Sequence, residues 1–421
     1  MGGSYHKRAR DEGARVAATS RPPHVAVVVL GDLGRSPRML YHARALADAD
    51  ARVTLVGYRE TDLDPEVTTH PAIEIHALRP PASGVPPALF VPHGIARVVR
   101  QTGELAAVLR RTAADTILVQ SPPAIPTLLV ALAIARIGGA RLIVDWHNET
   151  WAMLALRLGA RHPVVGLVRW WERLVGRRAD AHLCVSQAMA ARLAEEAAIR
   201  AVVLHDRPAD RFVPATSGSR AATRARLADE LGLRRPFFLV VAPTGWTLDE
   251  DVDLLIDAAV RLDAVLSAAA AGPDVVIVAT GLGPLREPWE RRTATLSLRR
   301  VRLCARWLPA AQYPAFLAAA DVGVSLHRSA SGVDLPMKIA DLLGAGVPVC
   351  ALAYAPCLAE MLRDGETGLF FDTADGLAAH LGTLAADPDG LVTTLRHNVV
   401  AGARERWTDG WNRTARPVLL P

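Results

Sequence analysis

Aromatic side chains are scarce in this chain, 21 of 421 residues, and nine of those are tryptophan. Cysteine is scarcer still. Cys184, Cys304, Cys350 and Cys357 form no CxxC pair, which excludes a zinc ribbon and a disulfide framework and suits a reducing compartment. No apolar run reaches the ~20 residues that cross a bilayer. The longest candidate, Ile125 to Ile137, is interrupted by Arg136. The N-terminal stretch is basic and polar without an apolar core, so it is not a signal peptide; residues 1–22 are expected to be a disordered tail. The glycines after the first strand do not form GxGxxG, so a dinucleotide is not indicated. No DxD-like pair sits after a strand with metal-ligand logic, and neither a metal nor a cofactor is expected. The balance of charge is +5, with a pI near 9.3. That excess is either an arginine-rich composition or a sign of an anionic partner, such as a membrane surface or a diphosphate; a nucleic acid is not expected.

What is present is length and apolar content. The chain is too long for one core and suits two domains, and 51% of it is hydrophobic. His24 to Leu30 is a continuous apolar run, as in a buried parallel strand. GDLGRSPRM follows, then a helix from about Arg38 to Ala49 and a second strand from Val53 to Val56. This is a β-loop-α-β unit of the Rossmann kind. Gly31 and Gly34 allow a sharp turn, while Asp32, Arg35 and Arg38 bring charge to the strand's carboxyl end. The strand from Leu142 to Val144 ends in Asp145-Trp146-His147-Asn148-Glu149. Polar side chains there stand in the crevice where such sheets bind ligands. The polar break at Pro214 to Ser219 divides the chain, and strand–helix alternation resumes at Pro236. The expected domains are 23–213 and 214–405, with 406–421 crossing back to the first. Residues 95–111 and 161–178 pattern as basic amphipathic helices, the second with adjacent tryptophans. Each packs on the sheet or lies on a membrane surface.

The stretch from Ser329 to Val349 organises the second half. The run Val322 to Leu326 feeds a loop of small residues, Ser329, Ala330, Ser331 and Gly332. Pro336 suits a first helical turn, Ile339, Leu342 and Leu343 share a face, and Gly346-Val347-Pro348 ends the helix. Small residues before a helix N-terminus leave N–H groups free, and the helix dipole favours an anion there. Lys338 and Asp341 share a helix face, a cation for a phosphate and a carboxylate for a ribose diol. From the residues alone, the same stretch is also a strand–turn–helix that merely packs a sheet.

Pro336-x-Lys338-x-x-Asp341 followed by Gly346-Val347-Pro348-Val349 resembles the donor-site segment of GT-B glycosyltransferases. The strings SGVDLPMKIADLLG and GDLGRSPRMLYHA, with TGWTLDED, TGLGPLRE and CLAEMLRDGETGLFF, resemble the chitobiosyldiphosphodolichol β-mannosyltransferases, glycosyltransferase family 33. The resemblance covers nearly all of Val25 to Trp411. It implies a GT-B fold, two Rossmann-like doubly wound parallel-sheet domains facing across a cleft. The implied reaction is inverting transfer of mannose from GDP-mannose to a lipid-diphosphate-linked sugar. The implied donor site comprises Thr244, Gly281, Gly283, Arg306, Trp307, Leu308, Ser329, Ser331, Gly332, Lys338 and Asp341. Gly34, Arg35, Arg38, Asp145 and Glu149 are expected at the acceptor. An inverting displacement needs a general base, and His147 and Asp32 are the candidates. Glu360 is read as a helix cap or a ligand contact. The sequence departs from the wider fold family after the strand ending at Ala242. Thr244, Gly245 and Trp246 stand where many retaining members carry arginine and lysine, so Lys338 and backbone N–H groups must neutralise more of the leaving diphosphate. Eukaryotic members carry an N-terminal membrane anchor, which this chain is expected to lack; it is expected to be cytoplasmic and peripheral on the inner face of the membrane. The rival readings are a transferase using a UDP-sugar, a GT-B-fold epimerase, and a non-catalytic partner subunit. A free sugar is the alternative acceptor.

Overall fold

A computed structural model describes residues 21–80, 90–269, 272–402 and 405–420. Most of the expected N-terminal tail and of the proline-rich loop before residue 95 lies outside the described residues.

Seven strands form the first sheet: β1 (His24–Asp32), β2 (Arg52–Tyr58), β3 (Ile73–Leu78), β4 (Thr116–Ser121), β5 (Arg141–Trp146), β6 (Ala181–Cys184) and β7 (Val202–Val203). They run parallel in the order β3-β2-β1-β4-β5-β6-β7. The uninterrupted apolar run of β1 has a simple cause. Val25, Val27 and Val29 enter one core, and Ala26, Val28 and Leu30 enter the core on the opposite face. A strand covered on both sides has no polar face to alternate with. Six more strands form the second sheet: β8 (Phe237–Pro243), β9 (Asp274–Thr280), β10 (Val301–Arg306), β11 (Val322–Ser325), β12 (Val349–Leu352) and β13 (Gly368–Phe371). Their order is β10-β9-β8-β11-β12-β13, again parallel. In β8, Phe238, Val240 and Ala242 face one core and Phe237, Leu239 and Val241 the other.

The strand order reverses once in each sheet, between β1 and β4 and between β8 and β11. Crevices outside the carboxyl ends at such reversals are where these sheets bind ligands. The loops that meet there follow β1, β4 and β5 in the first lobe, and β8 and β11 in the second. The chain then returns. Trp407, Trp411, Ala415 and Leu419 lie in the first lobe's core beside Val25, Met39 and Leu46.

Three local features differ from the sequence reading. The polar break is itself a helix start: Thr216 accepts from the Ser219 N–H, and the helix runs Ser217–Leu231. Serine, threonine and glycine look like linker but are also N-cap chemistry. A separate helix, Thr150–Leu158, precedes the tryptophan helix Pro163–Gly176, with Gly159 ending the first of them. The helix expected over 95–111 runs Phe90–Thr112, with Val99 66% exposed and Leu105, Val108 and Leu109 buried. Among the described residues no helix is long and apolar enough to cross a membrane.

Candidate active site

Two loops shape the second lobe's edge, and each closes around one buried carboxylate. After β8, the Glu250 side chain accepts from the Gly245 N–H (2.6 Å), the Trp246 N–H (2.9 Å) and the Thr244 hydroxyl. Its other oxygen takes the Lys338 ammonium, which remains about a third exposed. After β11, the Asp334 side chain accepts from the Ser331 hydroxyl (3.0 Å), the Ser329 hydroxyl and His327 Nε2 (2.9 Å). Burial opposes its charge, yet these hydrogen bonds hold the Asp334 carboxyl below the usual range. The two loops are joined by Asp251 N–H to Leu326 O (3.0 Å) and Arg328 N–H to Asp249 O (2.7 Å). The hydroxyls of Thr244, Ser329 and Ser331 are therefore committed to shaping the loops.

Gly281 and Gly283 have the same structural duty. A Cβ on Gly281 would lie 2.0 Å from Thr244 O, and one on Gly283 would lie 2.1 Å from Gly245 O. Gly281 also sits at φ +112, where a side chain is strained. These glycines let the β9 loop lie backbone to backbone against the β8 loop. At the end of β10, Arg306 pairs with Glu230, Trp307 is exposed, and Leu308 packs on the core. Gly332, at φ +74, donates its N–H to Ser329 Oγ (2.7 Å).

The helix Met337–Gly344 starts at Pro336 without a side-chain cap, leaving its first amides available. Asp341 stands one turn in, half-buried, with no hydrogen bond to its carboxylate among the described residues. Burial raises its pKa to about 7; Arg211 opposes this, Asp206 adds to it, and Lys338 opposes it. A carboxylate without a partner at a helix start, next to a partly exposed ammonium, is suited to accepting from a diol.

The first lobe is built around a different carboxylate. Asp145 accepts from Arg38 Nε (2.8 Å) and Nη2 (3.0 Å), from His42 Nε2 (3.0 Å) and from His147 Nε2 (3.0 Å). Arg38 also donates to Leu204 O (2.8 Å) and Asp206 (2.7 Å). Burial works against the charge, but Arg38 and the two histidines hold the Asp145 carboxyl well below its ordinary range. His147 alone in this group reaches solvent, with its side chain 19% exposed.

This geometry corrects part of the acceptor assignment. Arg38 and Asp145, expected to meet an acceptor, are 1% and 0% exposed and spent on one another. Glu149 is also buried; it accepts from Arg192 Nη1 (3.0 Å) and Trp151 Nε1 (2.9 Å). Asp32 accepts from Glu60 N–H (3.1 Å), Thr61 N–H (3.3 Å) and Thr61 Oγ1 (2.6 Å), which ties down the loop after β2. Gly34 is needed where that loop passes, since a Cβ would meet Thr61 Oγ1 at 2.3 Å. Arg35 stays half-exposed at the rim. Of the two base candidates, His147 has no partner on Nδ1 among the described residues, and Asp32 has its oxygens occupied.

The lobes touch beside this site. Arg192 donates both to Glu149 and to Ser331 O (2.7 Å), so the loop bearing His147 and the small-residue loop are one side chain apart. Ser186 donates to Val333 O. Glu360, from the second lobe, accepts from Gln187 N–H (2.7 Å) and Ala188 N–H (3.1 Å) at the start of a first-lobe helix, Gln187–Ala197, and from His205 Nε2 (2.8 Å). Glu250, Asp334, Arg192, His42 and Trp411 were not singled out from sequence. Arg192, His42 and Trp411 find their partners far along the chain, whereas Glu250 and Asp334 are held mostly from within seven residues.

Two family models match: a glycosyl transferase 4-like domain over residues 33–209 and a glycosyl transferase-like domain over 261–416. A mouse (Mus musculus) protein named chitobiosyldiphosphodolichol beta-mannosyltransferase is 36% identical over 95% of this chain and 90% of its own length. An Arabidopsis thaliana protein named UDP-glycosyltransferase TURAN is 34% identical over 93% of this chain and 96% of its own length. Among solved structures, Anabaena HepE in complex with UDP and glucose matches with a TM-score of 0.68, covering 94% of this chain and 99% of that one at 15% identity. The last likeness shows the two-lobed GT-B fold.

Proposed function

The chain belongs to the chitobiosyldiphosphodolichol β-mannosyltransferase family, and from that premise we propose that it moves mannose from GDP-mannose, with inversion, onto a sugar carried on a lipid diphosphate. That it is a glycosyltransferase follows from the family. The donor, the acceptor and the stereochemistry are the proposal. One observation carries it. Arg192 joins Glu149 to Ser331 O, which sets the His147 loop of one lobe beside the donor-type loop of the other.

In this reading His147 takes the proton from the acceptor hydroxyl through Nδ1. The hydroxyl oxygen attacks the anomeric carbon from the face opposite the nucleotide, and the bond from that carbon to the diphosphate oxygen breaks. Asp341 accepts from the ribose diol. Lys338, turning from Glu250, and the free amides of residues 337–338 meet the developing charge on the diphosphate. Thr244, Gly281, Gly283 and the 329–332 loop shape the walls. Trp307 offers a face near the base, and Arg35 is the remaining rim cation for the acceptor's diphosphate.

The lipid end of the acceptor calls for a membrane surface. Met153, Leu156 and Leu158 are exposed on one helix, and Val164, Leu167 and Trp170 on the next, among exposed Arg157, Arg161 and Arg177. Apolar side chains set among arginines suit an anionic bilayer, and in this reading the enzyme works on the cytoplasmic face of such a membrane. Co-sedimentation with vesicles of anionic lipid, reduced in a Leu167→Ser, Trp170→Ser variant, supports this; equal binding to neutral vesicles argues against it.

Product analysis by NMR, using GDP-mannose and a short-chain lipid-diphosphate chitobiose, tests the central reading. A β-linked mannose is expected, and an α-linked product overturns the inverting assignment. A UDP-sugar donor is the second reading, favoured by the name of the Arabidopsis relative. Faster transfer from a UDP-sugar than from GDP-mannose would replace the donor.

A further inference from the structure

The acidic partner of His147 is itself held by residues that no part of the reaction touches. Asp145 lies on β5 with no exposure, and its Oδ2 accepts from three groups: Arg38 Nε (2.8 Å), His42 Nε2 (3.0 Å) and His147 Nε2 (3.0 Å). An ionised carboxylate can only accept, so both imidazoles must present a protonated Nε2 to it. On the far side of His42, the indole Nε1–H of Trp411 donates to Nδ1 (3.0 Å). Indole N–H is a donor only, so Nδ1 of His42 must be bare. His42 is thus fixed from both sides as the neutral Nε2–H tautomer. Burial lowers its pKa and keeps the ring neutral, against the pull of Asp145.

We propose that Trp411 and His42 are positioning residues for His147. The indole N–H holds His42 with its Nε2 proton on Asp145, and Asp145, anchored by Arg38, then leaves His147 one orientation. In that orientation Nε2 of His147 carries the proton and Nδ1 is the bare lone pair at the edge of the crevice. Trp411 comes from the segment that follows the second lobe, 369 residues from His42, and sits in the first lobe's core. The returning segment therefore sets the chemical state of a side chain in the first lobe as well as filling space.

Other groups facing the cluster agree with this assignment. Arg38 is fixed at its other end by Asp206 (2.7 Å) and Leu204 O (2.8 Å), so it cannot swing away from Asp145. Cys184, on the neighbouring strand, has its thiol pushed up to about 12 by burial and by Asp145, so it brings no charge. The Trp407 ring lies 5.3 Å from the Arg38 guanidinium carbon and edge-on to His42, closing the cluster from below. His42 is the one imidazole of the cluster without a route to solvent, so its effect on the reaction must pass through Asp145.

The inference rests on His147 being the general base, and the experiment separates the two. The full chain, labelled with 15N in its histidine rings, is compared as wild type, Trp411→Phe, His42→Phe and His42→Gln. His147→Ala assigns the resonances and by itself tests the base. In the wild type, His147 is expected as a single Nε2–H tautomer. In His42→Phe and Trp411→Phe, it should exchange between tautomers, and kcat should fall on the order of tenfold to a hundredfold with KM for the donor unchanged. Glutamine at 42 can donate one amide hydrogen to Asp145 and accept the indole N–H at its oxygen, so His42→Gln should recover both the tautomer and most of kcat. If Trp411→Phe does not fold, the two His42 variants decide. A wild-type His147 protonated at Nδ1, or a folded His42→Phe with wild-type kcat and a single tautomer, overturns the proposal. An active His147→Ala overturns the base assignment, while the ring spectra still report whether the chain of hydrogen bonds exists.

Discussion

In the first lobe, Asp145 draws its partners from far along the chain: Arg38 is 107 residues away, and the same arginine reaches Asp206 over 168. In the second lobe, Glu250 gathers Gly245 and Trp246 from five and four residues away, and Asp334 takes Ser331 from three. Both carboxylate types are buried and satisfied, yet they do different work. The distant set holds the carboxylate to which one side chain, His147, is hydrogen-bonded. The local sets fix the course of a backbone beside the helix Met337–Gly344, which starts without a side-chain cap. In the proposed reaction a base must be aimed, whereas a diphosphate is met by a surface of donors, and the two lobes are assigned along that line.

The largest effect should come from breaking the distant set. Arg38→Met strips the cation from two buried carboxylates, Asp145 and Asp206, and should cost roughly 3–5 kcal/mol of stability. A urea unfolding midpoint would measure this, and a midpoint equal to wild type would mean the network is not structural. Next comes His147→Ala, which leaves the fold intact and should lower kcat by about 10²–10⁴-fold with GDP affinity unchanged. A comparable loss of GDP affinity would move His147 to the donor side and erase the division between the lobes.

On the second lobe, Lys338→Ala and Asp341→Ala should each weaken GDP binding by ~1.5–3 kcal/mol in calorimetry. Unchanged affinity in both sends the nucleotide elsewhere. The smallest effect concerns pH. The Asp341 carboxyl, raised to about 7 by burial, must be ionised to accept from a diol. Protonation therefore competes with the nucleotide, and affinity should rise roughly tenfold from about pH 6 to about pH 8. The same shift affects stability with the opposite sign. The folded state holds this proton above the unfolded carboxyl's pKa, so stability falls as pH rises from about 4 to about 7. Asp341→Asn should flatten both profiles; a retained slope in the variant assigns them to another group.

The strands were legible because burial on both faces writes itself as unbroken apolar runs, as in β1 and β8. The helix at 337–344 was legible through Pro336 and the Gly346-Val347-Pro348 stop. Both are local signals. Arg38 was misread because a charged residue at a strand's carboxyl end looks alike whether it points to solvent or closes a buried pair; only the partner decides, and Asp145 and Asp206 lie more than a hundred residues on. Glu250 was hidden among Asp249 and Asp251 for the same reason, since Lys338 is 88 residues away. The helix Ser217–Leu231 was missed for a local reason: its cap reads like a linker.

Trp407, Trp411 and Leu419 give the return of the chain a consequence in the order of synthesis. The first lobe emerges first but lacks part of its interior until those residues arrive, 369 positions after His42 in the case of Trp411. At roughly 5–20 residues per second, that is a wait of tens of seconds during which Arg38 and Asp145 have no roof over them. A premature stop a few codons before Trp407 would spare every strand of both sheets, yet the lobe it would leave unfinished is the one made earliest.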